Sequence, residues 1–174
     1  MRYLLALTAI CTMTAALHAG PADKPPGWGP LEALVGDWTG EGGGQPGQGT
    51  GSFSFQPDLQ GKVLVRKNRS EYPATKEHPA FRHDDLMVVY RDEPGLRAMY
   101  FDSEGHAIRY DVNSAPNSNA VTFVSAVEPS GPRYRLTYTP VDRDRLQIKF
   151  EIAPPAHPEE FATYIEAGAR RVSQ

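Results

Sequence analysis

The chain has 174 residues, with 18 basic and 21 acidic side chains, 16 glycines, 16 prolines and a single cysteine. A formal net charge of −3, with no basic run and no basic amphipathic helix, excludes nucleic acid or an anionic membrane as the main partner. One cysteine excludes an internal disulfide, so the fold depends on its apolar core.

Residues 1–19, MRYLLALTAICTMTAALHA, carry one charge at Arg2, an apolar run from Leu4 to Leu17 and small residues ending at Ala19. This is the order of a secretory signal peptide, and the apolar run is too short to span a bilayer comfortably. A lipid anchor on Cys11 is disfavoured by the bulk of Ile10 before it. Cleavage near Ala19 predicts a secreted or periplasmic protein of about 155 residues, an ordinary size for one domain. No second long apolar segment follows, so no membrane insertion is expected.

Residues 20–30, GPADKPPGWGP, read as a Pro/Gly leader that can hold neither a helix nor a ladder. The barrel domain is assigned to 31–174. It opens with one or two helical turns over Pro30 to Val35, stopped by Gly36. Period-two alternation then dominates. Leu146, Ile148, Phe150 and Ile152 alternate with Gln147, Lys149 and Glu151. Tyr134, Leu136 and Tyr138 alternate with Arg133, Arg135, Thr137 and Thr139, and Val121, Phe123 and Val127 do so less cleanly.

This pattern predicts ten strands, near 37–41, 49–56, 62–72, 85–91, 96–102, 106–113, 120–127, 133–140, 145–153 and 164–172. Their connections carry turn chemistry: QPDLQG, RDEPG, DSEG, SAPNSN, EPSGP and PVDRD. Short connections predict an antiparallel meander, and no stretch has the length of a crossover between parallel strands. Ten short strands remove their edges best by closing. The predicted fold is therefore all-β: a single antiparallel ten-stranded up-and-down barrel with a short helical turn before the first strand. A sandwich is the alternative.

Most chemical motifs dissolve on inspection. Gly42, Gly44 and Gly47 match G-x-G-x-x-G, but Pro46 interrupts it and a strand follows, so it reads as a hairpin loop rather than a dinucleotide site. There is no cysteine nucleophile, no Gly-x-Ser-x-Gly and no His-Glu-x-x-His. Asp142 and Asp144 sit in a turn, where Asp bonds its own backbone. Residues 77–85, EHPAFRHDD, bring His78, His83, Asp84 and Asp85 close in one connection. This is either a metal-binding or reactive loop at the barrel mouth or a solvated loop; spacing alone establishes no convergence, and no metal ligand is assigned.

FDSEGHAIRY is more informative. Asp102 first and Gly105 fourth suit a type I turn followed by a left-handed residue, which pairs Asp102 with His106 and Tyr100 with Ile108. Tyr100, His106 and Tyr110 then line one wall, with Asp102 holding the imidazole. The alternative is that Asp102 and His106 form a pair on the rim. Phe123, Tyr134, Tyr138 and Phe150 face them across the interior. Strand 62–72 places charge inside in either phase, Arg66 with Asn68 or Lys67 with Arg69 and Glu71. An internal Arg66 would either meet a ligand or pair with Glu71.

Trp38 on the first strand suits a plug for the barrel's closed end. An arginine of the last strand, Arg170 or Arg171, can lie across its ring, because the last strand of a closed barrel pairs with the first. Gly36, Trp38 and a late arginine resemble the shared signature of the calycin superfamily, which includes lipocalins, fatty-acid-binding proteins and ten-stranded nitrobindin-like barrels. The chain departs from these relatives in two places. It has no Thr-Asp-Tyr element, and GEGGGQPGQGTG replaces the two lid helices of fatty-acid-binding proteins.

The resemblance implies a secreted or periplasmic barrel that binds a small, partly apolar ligand inside. The candidate ligand-binding residues are Arg66, Tyr100, His106, Tyr110, Phe123, Tyr134 and Tyr138, with Trp38, Arg170 and Arg171 as the plug. No cofactor is expected under this reading. The alternative implied by nitrobindin-like barrels is haem, for which His83 and His106 are the candidate axial ligands.

Overall fold

A computed structural model describes residues 27–42 and 49–173. The signal peptide, most of the leader, and Gly44 and Gly47 of the glycine motif lie outside the described residues. A 3-10 helix over Gly29–Leu34 is followed by ten strands: β1 (Gly36–Gly40), β2 (Thr50–Asp58), β3 (Val63–Tyr72), β4 (Phe81–Asp92) and β5 (Gly95–Asp102), then β6 (Ala107–Ser114), β7 (Val121–Ser125), β8 (Arg133–Pro140), β9 (Arg145–Ala153) and β10 (Ala162–Arg171). Every strand pairs antiparallel with its neighbour in sequence, and β1 pairs with β10 to close the barrel.

The alternation that predicted β8 and β9 sets their register. Tyr138 pairs with Ile148, Leu136 with Phe150 and Tyr134 with Ile152, so one file of each strand points inward. Closure joins residues far apart in sequence: Trp38 pairs with Arg171 on one side and Phe53 on the other.

An aromatic column fills the middle of the barrel. Trp38 stacks on Phe53 with centroids 6.1 Å apart, and Phe53 meets Tyr138 at 5.8 Å. Edge-on contacts then run Tyr138–Phe123 at 6.1 Å, Phe123–Tyr110 at 6.4 Å and Tyr110–Tyr100 at 6.2 Å. Leu64, Met87, Val89, Val121 and Leu146 pack around this column without exposure above a few per cent. Offset and edge-on rings of this kind add to the stabilisation from burial.

Three boundaries differ from the sequence reading. β4 begins at Phe81, not near residue 85, so His83, Asp84 and Asp85 belong to a strand rather than to a loop. β7 ends at Ser125, and Val127 lies exposed beyond it. The end of the leader is structural: Trp28 is buried at the base of the barrel, with the Arg91 guanidinium 5.1 Å above its ring and Arg91 donating to the Gly27 carbonyl.

Candidate functional site

The two ends of the barrel carry different chemistry. At the closed end, the 3-10 helix presses Leu31 and Leu34 against the core, and Trp38 donates from Nε1 to the Leu34 carbonyl at 2.8 Å. Arg171, not Arg170, lies across Trp38, with its guanidinium carbon 4.2 Å from the ring centroid. It donates to the carbonyls of Val35 at 2.6 Å, Ala33 at 2.9 Å and Arg143 at 3.1 Å, which satisfies orphan groups at the helix end. Arg170 points the other way in the strand and pairs with Glu41 on the exterior.

Gly36 makes this arrangement fit. Its φ of +127° disfavours a side chain, and a Cβ there would lie 2.6 Å from Arg171 Nη1. The glycine two residues before the tryptophan thus leaves room for the arginine.

At the far end, β3, β4 and β5 contribute a polar wall. Arg66 faces inward with Asn68, which fixes the phase of β3. Its side chain is 91% buried, and it pairs with Asp85 rather than with Glu71, which is exposed. The guanidinium also sits 5.6 Å from the Phe53 centroid and 6.0 Å from that of Tyr138. Asp85 accepts further hydrogen bonds from Asn68 Nδ2 at 2.9 Å and from His83 Nε2 at 3.2 Å. Burial alone would raise the Asp85 pKa, but the charge of Arg66 and these hydrogen bonds hold it below the usual carboxylate range.

His83 is the centre of this wall. Its Nδ1 meets Glu104 Oε2 at 2.6 Å, and Tyr100 Oη lies 3.2 Å from its Nε2. Hydrogen bonding to Asp85 is the main cause that pushes its pKa up to about 9, with Glu104 adding to it, so the ring is charged at neutral pH. Burial and the nearby Asp85 and Asp102 keep the Tyr100 hydroxyl protonated.

The DSEG hairpin has the predicted register. Gly105 takes φ of +91°, Gly105 N donates to the Asp102 carbonyl at 3.1 Å, and Tyr100 pairs with Ile108. His106 nevertheless does not line the interior. Its side chain is 58% exposed, and its Nδ1 meets Asp102 Oδ2 at 2.8 Å, so the pair belongs to the rim. Strand β6 begins at Ala107, one residue after His106, and the imidazole turns to the Asp102 carboxylate at the hairpin.

The opposite wall is aromatic. Tyr134 stacks on Phe150 at 5.9 Å and 11°, and Tyr164, beside an irregularity in β10, meets Phe150 edge-on at 6.1 Å. Tyr134 and Phe150 are half-buried, as are Tyr100 and Ile108. Tyr110, Phe123 and Tyr138 differ from their predicted role. They are 3%, 0% and 0% exposed, so they form the packed floor beneath these walls rather than a ligand-facing surface. Burial pushes the Tyr138 hydroxyl up to about 12, against the opposing effect of the neighbouring Arg66 guanidinium.

Of the two histidines considered as axial haem ligands, His83 stands in the polar wall with its ring nitrogens beside Asp85 and Glu104. His106 turns to solvent at the rim.

Sequence reasoning placed Asn68 with Arg66 and Asp85 with His83, but it did not join the two sets and it missed Glu104. The signal was present: Phe81, His83, Asp85, Met87 and Val89 alternate with Arg82, Asp84, Leu86 and Val88, which extends the β4 pattern by four residues.

No protein-family model matches the chain, and no curated protein matches its sequence. Sixteen chains of known structure match its shape. Among them is the crystal structure of Rv2717c from M. tuberculosis, with a TM-score of 0.57 at 12% identity over 83% of this chain and 98% of that one. At such identity the likeness concerns the fold alone, a ten-stranded barrel consistent with the calycin-like architecture.

Proposed function

We propose that the protein binds a small, partly apolar ligand in the far half of the barrel, as an exported secreted or periplasmic binding protein. The observation that carries this reading is the division of that half into two unlike walls above a packed aromatic floor. Tyr134 and Phe150 offer ring faces, and Ile108 offers aliphatic surface beside Tyr100, while Tyr100, Asn68 and His83 offer polar groups. Ligand sites commonly combine a mostly apolar lining with a few fixed polar groups. The floor beneath these walls holds the buried Arg66 guanidinium beside the Tyr138 ring. Arg66 is already neutralised by Asp85, so a ligand carboxylate gains less there than at an unpaired arginine.

The test is titration with an environment-sensitive fluorescent amphiphile such as anilinonaphthalene sulfonate. One molecule should bind per barrel, and Phe150→Arg should abolish binding while the melting temperature stays close to wild type. Equal binding by the Phe150→Arg protein would overturn the reading. Titration with haem should give no sharp Soret band; a saturable one-to-one Soret band would support haem instead. N-terminal sequencing of the protein isolated from cells should find Gly20 or a near neighbour first.

A further inference from the structure

His83, Asp102 and Glu104 converge from three places in the fold: the start of β4, the end of β5 and the turn between β5 and β6. One donor atom from each lies within 4.8 Å of the others. We infer that these three side chains form a divalent transition-metal site on the rim of the barrel, of the zinc class.

The donor set points to that class. An imidazole nitrogen with two carboxylate oxygens suits zinc and its neighbours, whereas magnesium and calcium favour oxygen ligands alone. Bonds to zinc of about 2.0–2.2 Å place ligand atoms roughly 3.3–3.6 Å apart, so His83 Nδ1 and Glu104 Oε2 must separate from 2.6 Å while Asp102 draws closer, a side-chain adjustment at the rim.

The surroundings have the layered order of a metal site. A ligating histidine commonly has its second nitrogen fixed by a carboxylate, which sets the ring's orientation and basicity. Asp85 does this here: it contacts His83 Nε2 at 3.2 Å and leaves Nδ1 facing Glu104 at 2.6 Å. The Asp85 side chain is 96% buried and is itself anchored by Arg66 and Asn68, so the orienting group is rigid. Asp102 is held as well, by His106 Nδ1 at 2.8 Å and by Tyr100 Oη at 3.3 Å.

Formal charge agrees. Arg66 offsets Asp85, and the carboxylates of Asp102 and Glu104 face one divalent cation, which takes the place of the proton on His83 Nδ1. Three protein ligands leave coordination positions for water or for a group on a bound molecule. The inference shares His83 with the ligand reading above but does not depend on it, because its other two ligands stand on the rim and amphiphile binding tests the aromatic wall separately.

The experiment is calorimetric titration of untagged, chelator-treated full-length protein with zinc chloride, repeated with cobalt chloride to record its visible absorption. One saturable site should appear, with cobalt bands typical of mixed nitrogen and oxygen ligands. Glu104→Gln and His83→Gln should each weaken zinc binding at least tenfold. Asp85→Asn, which alters the orienting group and also removes the counter-charge of Arg66, should weaken it less and shift the cobalt bands, with circular dichroism checking the fold. His157→Ala, in a separate exposed pair with Glu160, should leave binding unchanged. Absence of saturable binding, binding that survives both Glu104→Gln and His83→Gln, or equal affinity for magnesium would each overturn the site. Because Glu104 is exposed on a turn, its variant retains the fold, and circular dichroism checks this directly.

Discussion

The two ends of the barrel solve the same problem, a buried arginine, in opposite ways. Arg171 at the closed end has no buried carboxylate beside it among the described residues. It spends its donors on three backbone carbonyls, stacks on Trp38 and keeps part of its surface in water, with Asp144 as a distant exposed partner. Arg66 at the far end is buried and requires Asp85, which in turn requires Asn68 and His83. The closed end is thus a cap of packed rings and satisfied carbonyls, and its removal costs stability. The far end is a chain of mutually dependent charges, and removing one member strands the next. Buried ion pairs behave in this way: breaking one is costly, while replacing both partners with apolar groups can be nearly neutral.

The largest expected effect separates packing from charge. Trp38→Ala should destabilise by roughly 3–5 kcal/mol, as for other large core truncations, and should act on stability before any ligand affinity. Denaturant unfolding measures it, and an unchanged midpoint would remove the plug from the account of the closed end.

Next comes the charge pair. Arg66→Leu alone should cost about 3–5 kcal/mol because Asp85 is left buried, whereas the Arg66→Leu, Asp85→Leu double variant should recover most of that loss. A double variant no more stable than the single one would show that the pair contributes packing rather than mutual neutralisation.

Gly36→Ala should cost roughly 1–3 kcal/mol, since a side chain at that backbone conformation is strained and its Cβ would displace Arg171. Trp38 fluorescence should change along with stability, because the guanidinium leaves the ring. A melting temperature within a degree of wild type would contradict the close approach.

The smallest effect belongs to His106. Its pair with Asp102 is exposed on the histidine side, so His106→Ala should change stability by less than about 1 kcal/mol and leave amphiphile binding close to wild type. Strong loss of binding would return His106 to the interior wall.

Much of the barrel was legible because alternation of period two is a local property. The faces of β8 and β9 and the register across the DSEG hairpin followed from side-chain size and from one glycine able to take positive φ. The closed end was legible in outline, since Trp38 and a late arginine are conspicuous, but the choice between Arg170 and Arg171 was not. It depends on which member of the pair shares an inward file with Trp38, and the β1–β10 register decides that.

The far end was only partly legible. Arg66 and Tyr100 stood out as polar groups in apolar strands, but their partners did not. Asp85 lies 19 residues beyond Arg66, after a proline-containing connection, and the charged run around it reads as loop until β4 is extended back to Phe81.

By itself the sequence determined the strands, their antiparallel order and the sidedness of β8 and β9, because backbone geometry and turn chemistry act over a few residues. The tertiary structure alone decided which charges share a pocket. Closure and register bring β3, β4 and β5 side by side, and the strength of an ion pair depends on distance and burial, neither of which is written in spacing along the chain.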